Sequence, residues 1–344
     1  MISRENSLKI SLLSFIAAVM VVFIHLPVTR EIGFSMWFQD FFGSKIPSVA
    51  VPFFFVVSGY LLINSMESQG GSYYIQLKKR VRTLLVPYLF WCLVFGLQAN
   101  LSALLSNLLY HYSLMRHIDL NPIHIFGLDF TMNPPLPLWF LRALMLYVIV
   151  SPFLLWVAHR KYVLIIFVGA LILFNCTKNM YVTKEYTTLF SFTFAPVNIL
   201  AFTLGLRLSG SPIQISKVTG LVLFASGLLF LFAKSLFEFY GFLIPQMVGM
   251  TLSLIAITMF IAGAWVVCPA VEMPKIMRGQ SFPIYLLHAA FVPYVLFVAQ
   301  KFPVLLGWFG FFVNAVVLLC FSLLLSHLLR RFLPRLSKVI FGGR

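Results

Sequence analysis

Windows of roughly 20 apolar residues follow one another along the whole chain, broken only by short polar or basic stretches. About 20 residues is the length a helix needs to cross ~30 Å of hydrocarbon. The windows fall near 8–26, 48–64, 84–105, 138–158, 162–177, 188–207, 217–233, 244–267, 281–299 and 304–328. In lipid every backbone N–H and C=O must find its partner inside the segment, so windows of this length fold as helices. The fold expected is all-α: a polytopic transmembrane bundle of about ten helices, one domain over residues 1–344. With 61% hydrophobic and 10% charged residues and a mean hydropathy of +0.97, the chain lies far from soluble domains.

Lys and Arg outnumber Asp and Glu by 25 to 9. In a chain of this class the excess reports topology, not a nucleic-acid partner. With the N-terminus in the cytosol, the cytoplasmic segments hold Arg4 and Lys9; Lys78, Lys79, Arg80 and Arg82; Arg160 and Lys161; Arg207 and Lys217; Lys275 and Arg278; and Arg330, Arg331, Arg335, Lys338 and Arg344. Most of the cations then face inward and both termini are cytoplasmic. The first helix stays as an uncleaved anchor, because no small-x-small cleavage site follows it. Cys92, Cys176, Cys268 and Cys320 sit in apolar segments without metal-like spacing. They are expected to be buried thiols, and no metal site is expected. The P-loop pattern is absent, as are internal repeats and paired interrupted helices, which argues against an ATP-driven pump or a secondary transporter.

The segment 65–81 (SMESQGGSYYIQLKKRV) reads as a polar, then basic loop on the cytosolic surface. The longest external connection, about 106–137, carries His111, His117, His124, Asp119, Asp129 and a Pro-rich NPPLP. It has enough polar and aromatic material for an external cap or acceptor platform.

One apolar run, Ile10 to Leu26, contains a histidine, His25, 16 residues beyond Lys9. At ~1.5 Å per residue this is roughly 24 Å along the helix, in the outer half of the membrane. Read from the residues alone, His25 is either a hydrogen-bonded structural histidine near the external interface or a titratable group with a chemical task. His288 lies about seven residues inside the ninth window, at mid-bilayer depth, with the same two readings open.

Four segments taken together resemble the acyltransferase 3 family of integral membrane acyltransferases. FIAAVMVVFIH (15–25) is similar to its first helix, which ends in an essential histidine. VPFFFVVSGYLL (51–62) resembles its Pro-Phe-Phe followed by Ser-Gly-Phe/Tyr-Leu. KKRVRTLLVPY (78–88) resembles its basic cluster leading into Pro-Tyr, and LWFLRALMLYVIVSP (138–152) with SFPIYLLH (281–288) complete the set. The chain departs from the family at two positions. Many members carry an arginine eleven residues before the histidine and an aspartate three residues earlier, where this chain has Ser14 and Ser11. Another cation, such as Lys9 or Arg142, would then do the arginine's work, or this chain handles its donor differently.

The resemblance implies transfer of an acyl group, by default acetyl from acetyl-CoA, to a hydroxyl of a cell-envelope glycan or its lipid-linked precursor at the bacterial inner membrane. His25 would be the general base, suited to the task as a neutral imidazole. Lys79, Arg80 and Arg82 would clamp the phosphates of acyl-CoA, or else only enforce topology and touch anionic membrane lipid. Arg142, Trp139 and His288 are the candidate substrate-binding residues, set against snorkelling, helix packing and a structural hydrogen bond respectively. Ser58 and Gly59 would let two helices approach closely or contact the pantetheine arm. The competing reading is a non-enzymatic permease for a glycan or small organic solute, with His25 as a proton relay.

Overall fold

A computed structural model describes residues 2–26, 34–68, 72–109, 119–128, 137–181, 193–210, 215–242 and 245–343. The elements are α1 (Arg4–Ile24), α2 (Phe34–Asp40), α3 (Ala50–Ser68), α4 (Tyr73–Arg80), α5 (Val86–Leu109), α6 (Pro122–Ile125), α7 (Trp139–Ala158), α8 (Lys161–Tyr181), α9 (Pro196–Gly210), α10 (Lys217–Phe239), α11 (Gln246–Val267), α12 (Ser281–Lys301), α13 (Trp308–Phe332) and α14 (Pro334–Ile340). Among the described residues there is no strand. Seven helical stretches have the length and apolarity to cross a membrane, and three shorter apolar helices fall within α8, α9 and α11. The protein is a polytopic helical bundle. Each of the ten apolar windows overlaps one of these helices, and the window 162–177 lies within α8. Most of the long connection 106–137 and the start of the window 188–207 lie outside the described residues.

Two expectations change. The segment 65–81 is mostly helix: α3 runs on to Ser68, and α4 begins at Tyr73 and continues through a π-helical turn, Val81–Leu85, into α5. The Tyr73 hydroxyl anchors this arm to the carbonyls of Val148 and Ile149 on α7 (3.1 and 2.8 Å). The basic cluster is thus rigidly mounted. Cys92 and Cys268 are buried as expected, but Cys320 is exposed on α13, because an outward position in a membrane bundle is already an apolar environment. Beyond α13 the chain continues. It turns into α14 and packs back on α5, where the Trp91 indole donates to the Ile340 carbonyl (3.1 Å) and Phe341 is fully buried.

The largest buried cluster joins α1, α3, α5, α7, α9 and α12 around Phe55, Leu141, Tyr147, Phe202 and Leu286. Its tightest seam is α3 against α9. A Cβ on Gly59 would meet the Phe202 carbonyl oxygen, and one on Gly205 would meet that of Val56. Backbones this close require small residues, the usual basis of helix association in lipid. The second role weighed for Ser58-Gly59 divides between the two residues: Gly59 makes the seam, while Ser58 faces a cavity.

Cations gather at one end of the bundle. Arg4 pairs with Glu272 (2.9 Å) in the connection before α12, and Arg278 reaches the same carboxylate (3.4 Å). Arg330 donates to the Gly279 carbonyl (2.9 Å) and Arg207 to that of Ala158 (2.6 Å). The Arg4 contact, foremost, holds the exposed Glu272 carboxyl below the usual carboxylate range.

Candidate active site

A cavity of about 740 Å³ opens beside this cationic end. At its mouth stand Lys79 and Arg80 of α4, Thr83 of the π-turn, Gly279, and Gly342-Gly343 beyond α14. Along its walls lie Ser11 and Ser14 of α1, Ser58, Asn64, Ser65 and Ser68 of α3, and Ser281 of α12. Phe54, Phe140, Phe282 and Tyr285 add an aromatic lining. The hydroxyls follow from the sequence pattern: α1 and α3 each turn a stripe of small polar residues inward at helical spacing.

Arg80 and Thr83 have a chemical feature in common. Arg80 Nε and Thr83 Oγ1 are buried and have no hydrogen-bond partner among the described residues. A buried donor without a partner costs about 1–3 kcal/mol, so two at the mouth of one cavity fit an anionic guest with several acceptor oxygens. Gly342 shapes this mouth. Its φ of +64° suits glycine, and a Cβ there would run into the Thr83 carbonyl.

Further inside, Tyr285 donates from its hydroxyl to the Pro137 carbonyl and packs edge-on against Phe140 (centroids 5.5 Å apart). One helical turn on is His288, fully buried, its ring centroid 6.5 Å from that of Tyr285. His25, the residue capping the end of α1, lies next to it, with ring centroids 5.1 Å apart and planes inclined at 35°. Ser14 and Ser281 share the cavity, and His25 and His288 meet farther along the same two helices, so α1 and α12 run side by side in the same direction. The two histidines therefore lie at one level of the bundle, although residue counting sets them at different depths. The ends of α1 and α12 are not level: stepping back seven residues from each histidine leads to Ala18 in α1 but already to Ser281, the first residue of α12.

The remaining sequence candidates are placed as follows. Arg82 is exposed and does not line the cavity. Arg142 is buried, and its guanidinium donates to the Gly127 carbonyl (3.0 Å) and the Thr193 hydroxyl (3.1 Å). It therefore reaches inward and does not snorkel. Trp139 is half-buried, edge-on to Phe140 with centroids 6.4 Å apart. Lys9, weighed as a substitute for the missing arginine, pairs with Glu5 (2.9 Å) and is not part of the cavity wall. In the connection 106–137 His124 pairs with Asp119 (2.7 Å), while His111, His117 and Asp129 lie outside the described residues. No cluster of His, Cys, Asp and Glu suited to a metal occurs among the described residues.

Sequence reasoning passed over Thr83, Asn64, Gly279 and the Gly342-Gly343 pair. Asn64 and Ser65 were visible as polar interruptions at the end of an apolar run, whereas nothing local marks the glycines as a cavity rim.

The family described as Acyltransferase domain matches residues 8–331. Over 173 residues the chain is 30% identical to the succinoglycan biosynthesis protein ExoH of Rhizobium meliloti (strain 1021), a stretch that covers 46% of this chain and 43% of that relative. The match thus spans less than half of either chain. No solved structure matches significantly. Since the family match extends from the first helix through α13 and takes in every cavity-lining helix, the chain belongs to the acyltransferase 3 family of integral membrane acyltransferases.

Proposed function

We propose that the protein transfers an acyl group, acetyl by default, from cytosolic acyl-CoA to a hydroxyl of a cell-envelope polysaccharide or its lipid-linked precursor, as a multi-pass protein of the bacterial inner membrane. The observation that carries this reading is the cavity, apolar in the main but studded with hydroxyls, that leads from Arg80 and Thr83 to Tyr285, one turn before the histidine pair. A polysaccharide acceptor is supported by the similarity to ExoH, a succinoglycan biosynthesis protein. The gathering of cations around the cavity mouth supports a cytosolic donor entrance and cytoplasmic termini.

In this reading Arg80, with Lys79 beside it, holds the donor's phosphates. Arg80 takes over the role for which relatives often use an arginine at the position of Ser14. The pantetheine arm, uncharged and rich in amide groups, lies along Ser14, Ser58 and Ser281. His25 takes the proton from the acceptor hydroxyl as its oxygen attacks the thioester carbonyl, and the departing thiolate receives that proton. General-base assistance of this kind contributes about 10²–10⁴ in rate. Arg142, which ties the start of α7 to the Gly127 carbonyl, would in this reading stand beside the acceptor's approach.

Mass spectrometry of envelope glycans from cells with and without the chain tests the assignment. One glycan should lose a single acyl mass increment in the deletion strain and regain it on complementation. Identical glycan masses in both strains would overturn the reading.

A further inference from the structure

His288 is the one fully buried histidine of the reaction region, and its hydrogen bonding fixes its chemical form. Its Nδ1 lies 2.8 Å from the Ile284 carbonyl oxygen. A carbonyl can only accept, so Nδ1 carries the proton and neutral His288 presents a lone pair at Nε2. That Nε2 is buried and has no hydrogen-bond partner among the described residues. A buried acceptor left empty is costly, which points to a donor that arrives during turnover. The adjoining ring is His25, at a centroid separation of 5.1 Å. Two imidazoles joined edge to edge by an N–H···N bond of about 2.9 Å have centroids about 5 Å apart. The observed separation already suits such a bond. Only the 35° inclination and ring rotation have to change.

We propose that His288 is the positioning partner of His25: its Nε2 accepts a hydrogen bond from one ring nitrogen of His25, which sets the other nitrogen as the base. This rests on His25 being the base. The reaction balances with His288 unchanged. The hydroxyl proton passes to His25, the C–O bond forms, the C–S bond breaks, and the thiolate takes the proton back from His25 and leaves as a thiol. While His25 is an imidazolium, its second N–H points at His288 Nε2, so the charge is stabilised by an acceptor already fixed in place by Ile284. Preorganised acceptors of this kind avoid reorganisation at the moment of reaction. His288 touches neither substrate in this scheme, and its tautomer is held by the backbone in the way a partner group fixes the tautomer of many functional histidines.

The test uses full-length protein in nanodiscs, radiolabelled acetyl-CoA as donor and envelope glycan extracted from cells lacking the chain as acceptor. His288→Phe keeps the ring volume and removes the acceptor; His288→Gln restores an accepting oxygen. The expected result is a fall in kcat of about 10- to 100-fold for H288F, with KM for the donor within about twofold, and partial recovery in H288Q. H25A/H288F should be no slower than H25A alone, since the two residues act as a unit. Wild-type kcat in H288F, a loss confined to KM, H288Q no better than H288F, or a further loss in the double variant would overturn the pairing. If H288F does not purify as monodisperse protein, His288→Met, an adaptable side chain without the nitrogen acceptor, is read by the same criteria. An active H25A would overturn the base assignment itself, whereas an inactive H25A beside a fully active H288F overturns only the pairing.

Discussion

Ser14 and Arg80 line the same cavity, although one belongs to the first membrane helix and the other to an amphipathic arm more than sixty residues later. Under the proposed function, the cation that relatives often place on the first helix is supplied here from across the cavity. With a guanidinium at the mouth and hydroxyls along the walls, the proposed donor would keep its charged part at Arg80 and extend its neutral part inward.

The first prediction separates two arginines that sequence alone treats alike. Arg80→Ala should raise the KM for acyl-CoA about 10- to 100-fold, the effect of losing a hydrogen bond to a charged group worth about 1.5–3 kcal/mol. Arg80→Lys should recover part of it, because the point charge remains but the fork geometry does not. Arg82→Ala, exposed and away from the cavity, should change KM by less than about threefold. Equal losses in R80A and R82A would favour a diffuse electrostatic role.

Filling the cavity should act on the donor alone. Ser14→Phe places a ring where the structure has open space between α1 and α3. Donor-dependent kcat/KM should fall by about tenfold or more while the thermal melting temperature in detergent changes little, since no packed side chain is displaced. A variant with unaltered donor kinetics would remove the cavity from the mechanism.

The polytopic helical bundle was legible in the sequence, because apolar length is a local signal, and His25 stood out as a lone polar group at the end of an apolar run. The helical nature of Tyr73–Arg80 was hidden by its Gly-rich approach and its charge, and the structure explains it through the tertiary anchor of Tyr73 on α7. The adjacency of His25 and His288 was not legible, because counting residues from each helix start takes all helices to begin level. The rim formed by Gly342 depends on a contact with Thr83, more than 250 residues away in sequence, for which no local pattern exists.

The α3–α9 seam predicts a stability effect distinct from any catalytic one. Gly59→Ala drives a methyl into the Phe202 carbonyl and should destabilise the protein by about 1–3 kcal/mol, the range for overpacking. Gly205→Ala should do the same, and the double variant should cost less than the sum, since both open one seam. Thermal unfolding in detergent measures all three. An unchanged melting temperature in G59A would mean that the backbones do not approach this closely.

The Arg4–Glu272 contact predicts a pH dependence. Glu272 is held below the ordinary carboxylate range, chiefly by Arg4 with Arg278 adding to it. Its contribution is therefore complete above the carboxylate value of the unfolded chain and disappears as pH falls through the lower, folded value. The pair is exposed, so the effect is small. Melting temperatures of wild type and Glu272→Gln should differ near neutral pH and converge in acid; a gap that widens in acid would reverse the sign.

The central claim is that His25 is the base that moves the acyl group. Purified protein in nanodiscs, given radiolabelled acetyl-CoA and envelope glycan from a strain lacking the chain, should transfer label to the glycan. His25→Ala should lower the initial rate by about 10²-fold or more while its melting temperature and donor KM stay close to wild type. Label transfer by H25A at the wild-type rate would contradict the account.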